Sequence, residues 1–185
     1  MFENSRPQLF GSQHMPAYKP PDPNAYAIQQ ALFLYRRARI AGRLSIFWAK
    51  IRHAPFHLLD LKNILRFCVI ANAHYLGTHS VPIHKIYGSE GRCQDFTRAF
   101  HPLANHNRSR WLHIATLRLL NETLPPIELI QIEDRYFVRD GHHRTSVSRA
   151  IGQTHVDALL TIWHMQDPVP WQPLEAGHSM RVFPA

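Results

Sequence analysis

Tyr136-Phe137-Val138-Arg139-Asp140-Gly141-His142-His143-Arg144-Thr145-Ser146-Val147-Ser148-Arg149-Ala150-Ile151-Gly152 passes from a β-prone triplet through an Asp-Gly turn into a polar run closed by glycine. The aromatic and β-branched triplet predicts a strand over 136–138. Residues 144–151 predict a helix, and Gly152 stands where a C′ glycine belongs. Working outward, Ile127-Glu128-Leu129-Ile130-Gln131-Ile132 alternates with period two, and Glu133-Asp134-Arg135 supplies a turn, so a hairpin leads into the helix. Leu124-Pro125-Pro126 stops an amphipathic helix predicted over 107–121, whose apolar side holds Trp111, Ile114, Ala115 and Leu119, widened by Leu112 and Leu117. Beyond Gly152, an apolar strand is expected over 156–163. Strands and helices in this alternation indicate a small α/β (α+β) domain.

The turn between strand and helix is a good anion site on physical grounds. A helix start presents unpaired N–H groups and the positive end of the macrodipole. Gly141 permits a sharp turn and close ligand approach. Arg144 offers a bidentate contact to phosphate oxygens, with the Thr145 and Ser146 hydroxyls in the first helical turn. His142 and His143 are candidates for proton transfer or hydrogen bonding near neutral pH. Asp140 is a candidate for fixing the turn, orienting an imidazole or holding a metal ion. A plain Asp-Gly turn flanked by surface histidines is the competing reading.

Upstream, Val81-Pro82-Ile83-His84-Lys85-Ile86 predicts a short strand running into the glycine-rich loop Gly88-Ser89-Glu90-Gly91-Arg92. That loop is placed to close over the same ligand, with Gly91 and Arg92 as phosphate contacts and Asp95 as an orienting or metal-binding carboxylate. The competing reading has Arg92 and Asp95 pairing with each other to stiffen the loop.

Among the 185 residues, 45% are hydrophobic and 18% charged, a globular balance. No apolar run approaches the ~18 residues of a membrane span, and the first residues lack a signal-peptide pattern. Cys68 and Cys93 are too few for a disulfide framework or a Cys-x-x-Cys metal site, and a reducing cytoplasm is the expected compartment. No nucleophile-elbow motif is present for a serine hydrolase. His53/His57 and His101/His106 lack companion ligands at metal spacing.

The net charge of +8 is unevenly distributed: residues 24–76 carry eight Lys or Arg against Asp60 alone. Four spans are expected. Residues 1–23, with five prolines, form an extended or disordered arm. Residues 24–76 form a basic helical segment, 77–166 the α/β domain and 167–185 a proline-rich tail. Within 24–76, Asn24 is the expected N-cap of a first helix carrying Ile28, Ala31, Leu32, Tyr35 and Ala38. Gly42 ends or bends it, a second helix covers 44–51, and a third starts at Asp60. Arg36, Arg37, Arg39, Arg43, Lys50 and Arg52 are the candidate nucleic-acid contacts, since a localised basic field attracts polyanions. An acidic protein partner or a solvated face is the alternative. Phe47, Trp48 and Phe67 at helical spacing are read as core ahead of base-stacking residues.

The hairpin, the Asp-Gly-His-His-Arg box and the helix ending at Gly152 together resemble the ParB/sulfiredoxin superfamily. Residues 81–102, with Gly88-Ser89-x-Gly91-Arg92-x-x-Asp95-Phe96, narrow the resemblance to a bacterial ParB-like group. The resemblance covers roughly residues 24–164. It implies a small mixed sheet with flanking helices, preceded by a basic helical segment. It also implies a box that contacts the phosphates of ATP or CTP. On the residues alone, magnesium is optional, with Asp140 and Asp95 as its candidate ligands. The sulfiredoxin cysteine position falls at His142, so sulfinic-acid reduction is not expected. No helix-turn-helix follows the box.

Three functions compete at this level. The first is a nucleotide-dependent module that binds DNA, RNA, a protein partner or a second copy. The second is a phosphoryl-transfer enzyme or nuclease using His142, His143 and Asp140. The third is a structural or regulatory protein with a degenerate site.

Overall fold

The computed structural model describes residues 22–169 and residue 171. Residues 1–21 of the expected arm over 1–23, and most of the proline-rich tail, lie outside the described residues. Chain order is α1 (Pro23–Ile51), β1 (Leu59–Asp60), α2 (Leu61–Ile64), β2 (Ile70–Pro82), a 3₁₀ turn (Ile83–Lys85), β3 (Ile86–Ser89), α3 (Arg108–Leu119), β4 (Ile127–Ile132), β5 (Arg135–Asp140), α4 (His142–Ala150) and β6 (His155–Met165).

The strands form one mixed sheet in the order β1-β3-β5-β4-β6-β2. The expected hairpin, β4 and β5, is its centre, with Leu129 opposite Val138 and Ile130 opposite Phe137. β3 lies parallel to β5, and β6 lies parallel to β4. Period-two alternation sorts the side chains between the two faces. Leu129, Val138, Ala158 and Leu160 enter a core with Phe96 and Phe100. Ile130, Ile132, Phe137 and Trp163 enter the opposite core with Leu61 and Ile64 of α2. A third cluster joins the helices: Ala31, Tyr35 and Ala38 of α1 meet Trp111 and Ala115 of α3 and Val147 of α4.

Several expected elements differ. α1 is one continuous helix of 29 residues, capped by the Asp22 carboxylate accepting from the Asn24 amide at 3.0 Å. Asn24 is therefore inside the first turn rather than the cap. Gly42 does not end the helix; a Cβ there would stand 3.1 Å from the Cβ of His101, so glycine serves close approach to the 101–103 segment. The helix buries its small residues, Ala27, Ala31, Ala38 and Gly42, with Tyr35, and leaves Ile28 exposed. Phe47, Trp48 and Phe67 are exposed, not core.

Asp60 does cap a third helix, through the Lys62 amide at 3.0 Å, but α2 is a single turn. The break expected at Gly77 does not occur: β2 runs from Ile70 to Pro82 and absorbs Gly77 at a register shift against β6. The short strand expected over 81–86 is instead the end of β2, the 3₁₀ turn and the start of β3. Among the described residues, no helix is long and apolar enough to cross a membrane.

Candidate functional site

α4 begins two residues earlier than its pattern predicts, at His142, because Gly141 takes φ +96° and reverses the chain directly into the helix. A Cβ at Gly141 would lie 2.5 Å from Cγ2 of Ile127, so both the dihedral and the space demand glycine. No side chain caps the start of α4. Gly152, at φ +81°, closes the helix as expected, its amide donating to Arg149 and the next amide to Ser148.

Beside this start lies a small hollow, open to solvent. Asp140, Gly141, His142, His143 and Arg144 line it from the box, Arg92 from the loop after β3, and Arg110 and Ile114 from α3. The tertiary fold thus brings the box and the Arg92 loop together, as the sequence predicts. It adds Arg110, which sequence reasoning missed. The available signal was a basic first turn, Asn107-Arg108-Ser109-Arg110, on a helix followed by the hairpin that leads into the box.

Several side chains of the box bond to the protein itself. Arg144 is engaged by the protein itself: Nη1 donates to the Pro126 carbonyl at 2.7 Å and to that of Pro125, and Nη2 to Asp140 at 2.6 Å. It pins the segment before β4 to the box, which corrects its expected role as an open phosphate fork. Thr145 donates its hydroxyl to the Gly141 carbonyl, and Ser146 donates to Phe100 at 2.6 Å while accepting from the Trp111 indole at 2.9 Å. Both hydroxyls face inward, away from any ligand, because α4 is packed on all sides and its polar groups need internal partners. Gly91 does not line the hollow. Its amide donates to Ser89 Oγ at 3.1 Å, tightening the loop. Arg92 and Asp95 form no ion pair; Asp95 accepts from Asn107 at 3.1 Å. Among the described residues, neither the Arg92 nor the Arg110 guanidinium has a hydrogen-bond or ion-pair partner.

His142 is buried against Ser89, whose hydroxyl meets its Nε2, and stacks on Phe96. Burial, then the charge of Arg92, pushes it down to about 4. His143 is 4% exposed, and neither ring nitrogen has a hydrogen-bond partner among the described residues. Burial, then the charges of Arg92 and Arg110, pushes it down to about 4 as well. Both imidazoles are therefore neutral at pH 7. Cys93 sits behind the loop with its thiol pushed up to about 11, chiefly by burial, and burial raises Cys68 too. Neither is a thiolate near neutrality. Among the described residues, no three His, Cys, Asp or Glu side chains gather into a metal-holding group.

The six basic residues of α1 and its end do not converge. Arg36, Arg43 and Lys50 share one edge at seven-residue spacing. Arg39 reaches inward to the Leu103 carbonyl, Arg37 lies over Phe33, and Arg52 over Trp48.

No family model matches this sequence, and no curated protein does. In structure the chain is similar to a sulfiredoxin from Arabidopsis thaliana, at 14% identity over 45% of this chain and 82% of that one, with a TM-score of 0.31. Its own sheet order and elements make the protein a member of the mixed α/β class, a six-stranded sheet with flanking helices.

Proposed function

We propose that this chain is a phosphate-binding module of ParB-like type, its ligand the phosphate group of a nucleotide such as ATP or CTP. The observation that carries the reading is His143: a buried imidazole with both nitrogens unpaired, in the lining of a hollow that the unpaired cations Arg92 and Arg110 also line. A buried polar group without a partner is costly, and an anion seated there would accept from the imidazole, both guanidiniums and the open start of α4. Magnesium would enter with the nucleotide. Hydrolysis receives less support, because His142 and His143 hold protons poorly near neutral pH and Asp140 is occupied by Arg144. For the basic segment we favour a protein partner over DNA or RNA, since its free cations border an apolar stripe.

A thermal-shift series with inorganic phosphate, ATP and CTP, each with and without magnesium, tests the site by mass action. Stabilisation is expected and should vanish in Arg92→Ala/Arg110→Ala. Arg144→Ala should lower the melting temperature without ligand, because it releases the Pro125 and Pro126 carbonyls. Ligand stabilisation that persists in the Arg92/Arg110 variant places the anion elsewhere and overturns the proposal. Release of inorganic phosphate at a rate dependent on His143 would move the protein to the hydrolytic reading.

A further inference from the structure

α1 turns a second face to solvent. Tyr26, Phe33, Ile40 and Phe47 recur every seven residues, and Leu44 and Ile51 each follow four after a member of that row. This is the spacing of a helix-pairing seam, and it lies opposite the alanine face buried against α3. Phe33, Ile40, Leu44, Phe47, Trp48 and Ile51 are 52–60% exposed. Scattered exposed apolar residues need no explanation, whereas a contiguous stripe along a whole helix marks an interaction surface. At its N-terminal half the seam opens into a groove lined by Tyr26, Phe33 and Leu34 together with Leu119 and Ile151 from α3 and the end of α4.

Charge selects the occupant. One edge of the seam carries Arg36, Arg43 and Lys50 at consecutive heptad positions, and no Asp or Glu occurs anywhere between Pro23 and Ile51. A second copy packed antiparallel would set this cationic edge against itself. Packed parallel, it would meet Leu34, Ala41 and Trp48, where no carboxylate answers it. Nucleic acid would satisfy the cations but leave Ile40, Leu44 and Ile51 wet. An acyl phase would have to receive Gln29, Gln30 and Arg37, which border the groove. An amphipathic helix with an apolar face and a carboxylate edge satisfies every part of the surface.

We propose that the outer face of α1 docks an acidic amphipathic helix from a partner protein, its apolar side on the seam and its carboxylates along Arg36, Arg43 and Lys50. Calorimetric titration of the full chain tests this with a peptide roughly four heptads long, carrying leucine at the core positions and glutamate on both flanks. Its twin carries lysine on the flanks. The acidic peptide should bind, on the order of tenfold more weakly as salt screens the flanks, and the lysine twin should not. Leu44→Glu/Phe47→Glu should abolish binding with unchanged circular dichroism, since both side chains face solvent. Arg36→Glu/Arg43→Glu/Lys50→Glu should exchange the preference, rejecting the acidic peptide and accepting the twin.

Equal binding of the two peptides, or of neither, overturns the proposal. So does a charge-reversed chain that keeps the original preference. Sedimentation showing a dimer dissociated by Leu44→Glu would assign the seam to a second copy instead. Binding of phosphatidylserine vesicles or duplex DNA lost in the seam variant would assign it to a membrane or to nucleic acid; each of these results sinks the protein-helix reading.

Discussion

His143 stays neutral because a proton would add a third positive charge beside Arg92 and Arg110, away from water. His142 stays neutral because it too is buried near Arg92. The consequence for stability has a definite sign. Both imidazoles fall from 6.5 to about 4 on folding, so between those values the unfolded chain binds more protons than the folded one. Their neutral burial is fully tolerated above pH 6.5; stability is lost as pH falls from there toward 4 and changes no further from this cause below it. The slope approaches about 1.4 kcal/mol per pH unit for each imidazole. Urea denaturation from pH 7 to 4.5 should show the decline, and His143→Gln should make it shallower. An unchanged slope in that variant would mean that His143 titrates normally. The same residue scale explains why part of the box was misread. Arg144, Thr145 and Ser146 have the chemistry of ligand contacts, but Thr145 turns back to the Gly141 carbonyl, and Arg144 and Ser146 bond to the Pro125 and Phe100 carbonyls, which only the folded chain brings within reach.

α1 is legible as a helix, yet its orientation is not, because both of its faces are candidates for burial by spacing alone. Volume decides between them. Ala31 and Ala38 let α1 approach α3 closely enough to seal Trp111, which is fully buried and hydrogen-bonded to Ser146. A helix packed through larger side chains would stand farther off and leave the indole open. Ala31→Leu should therefore cost about 1–3 kcal/mol by overpacking. Phe33→Ala, two residues along on the exposed face, should stay within about 0.5 kcal/mol. Guanidinium melts of the two variants check the assignment, and the opposite ranking would turn the helix over. α4 shows the converse: its sequence is polar enough for a surface helix, but six of its nine residues are buried. Seryl and threonyl hydroxyls tolerate that position by bonding to nearby carbonyls.

Across the whole molecule, residues 24–76 and 77–166 share a single sheet. β2 begins at Ile70 and pairs with β6 along nearly its whole length, while β1, from the far side of α2, edges the sheet next to β3. α1 meets α3 and α4 through a common core. Unfolding of the described body should accordingly be one cooperative transition. Far-ultraviolet circular dichroism and tryptophan fluorescence should give coincident denaturation curves. An early loss of helix signal, with Trp111 still buried, would make the basic segment a separate unit.

The central hairpin, the glycine turn and the capped helix after it were determined by the sequence alone, because each rests on local rules: period-two alternation, the dihedral freedom of glycine, and the left-handed C′ position. The approach of the Arg92 loop to the box was legible too, because a strand leads directly into that glycine-rich loop. Tertiary structure alone decided which cations remain unpaired, since Arg92 and Arg110 differ from Arg144 only in what the fold places beside them. It also decided which face of α1 meets solvent. Charge and periodicity are properties of a segment, whereas burial and hydrogen-bond satisfaction are properties of neighbours distant in the chain.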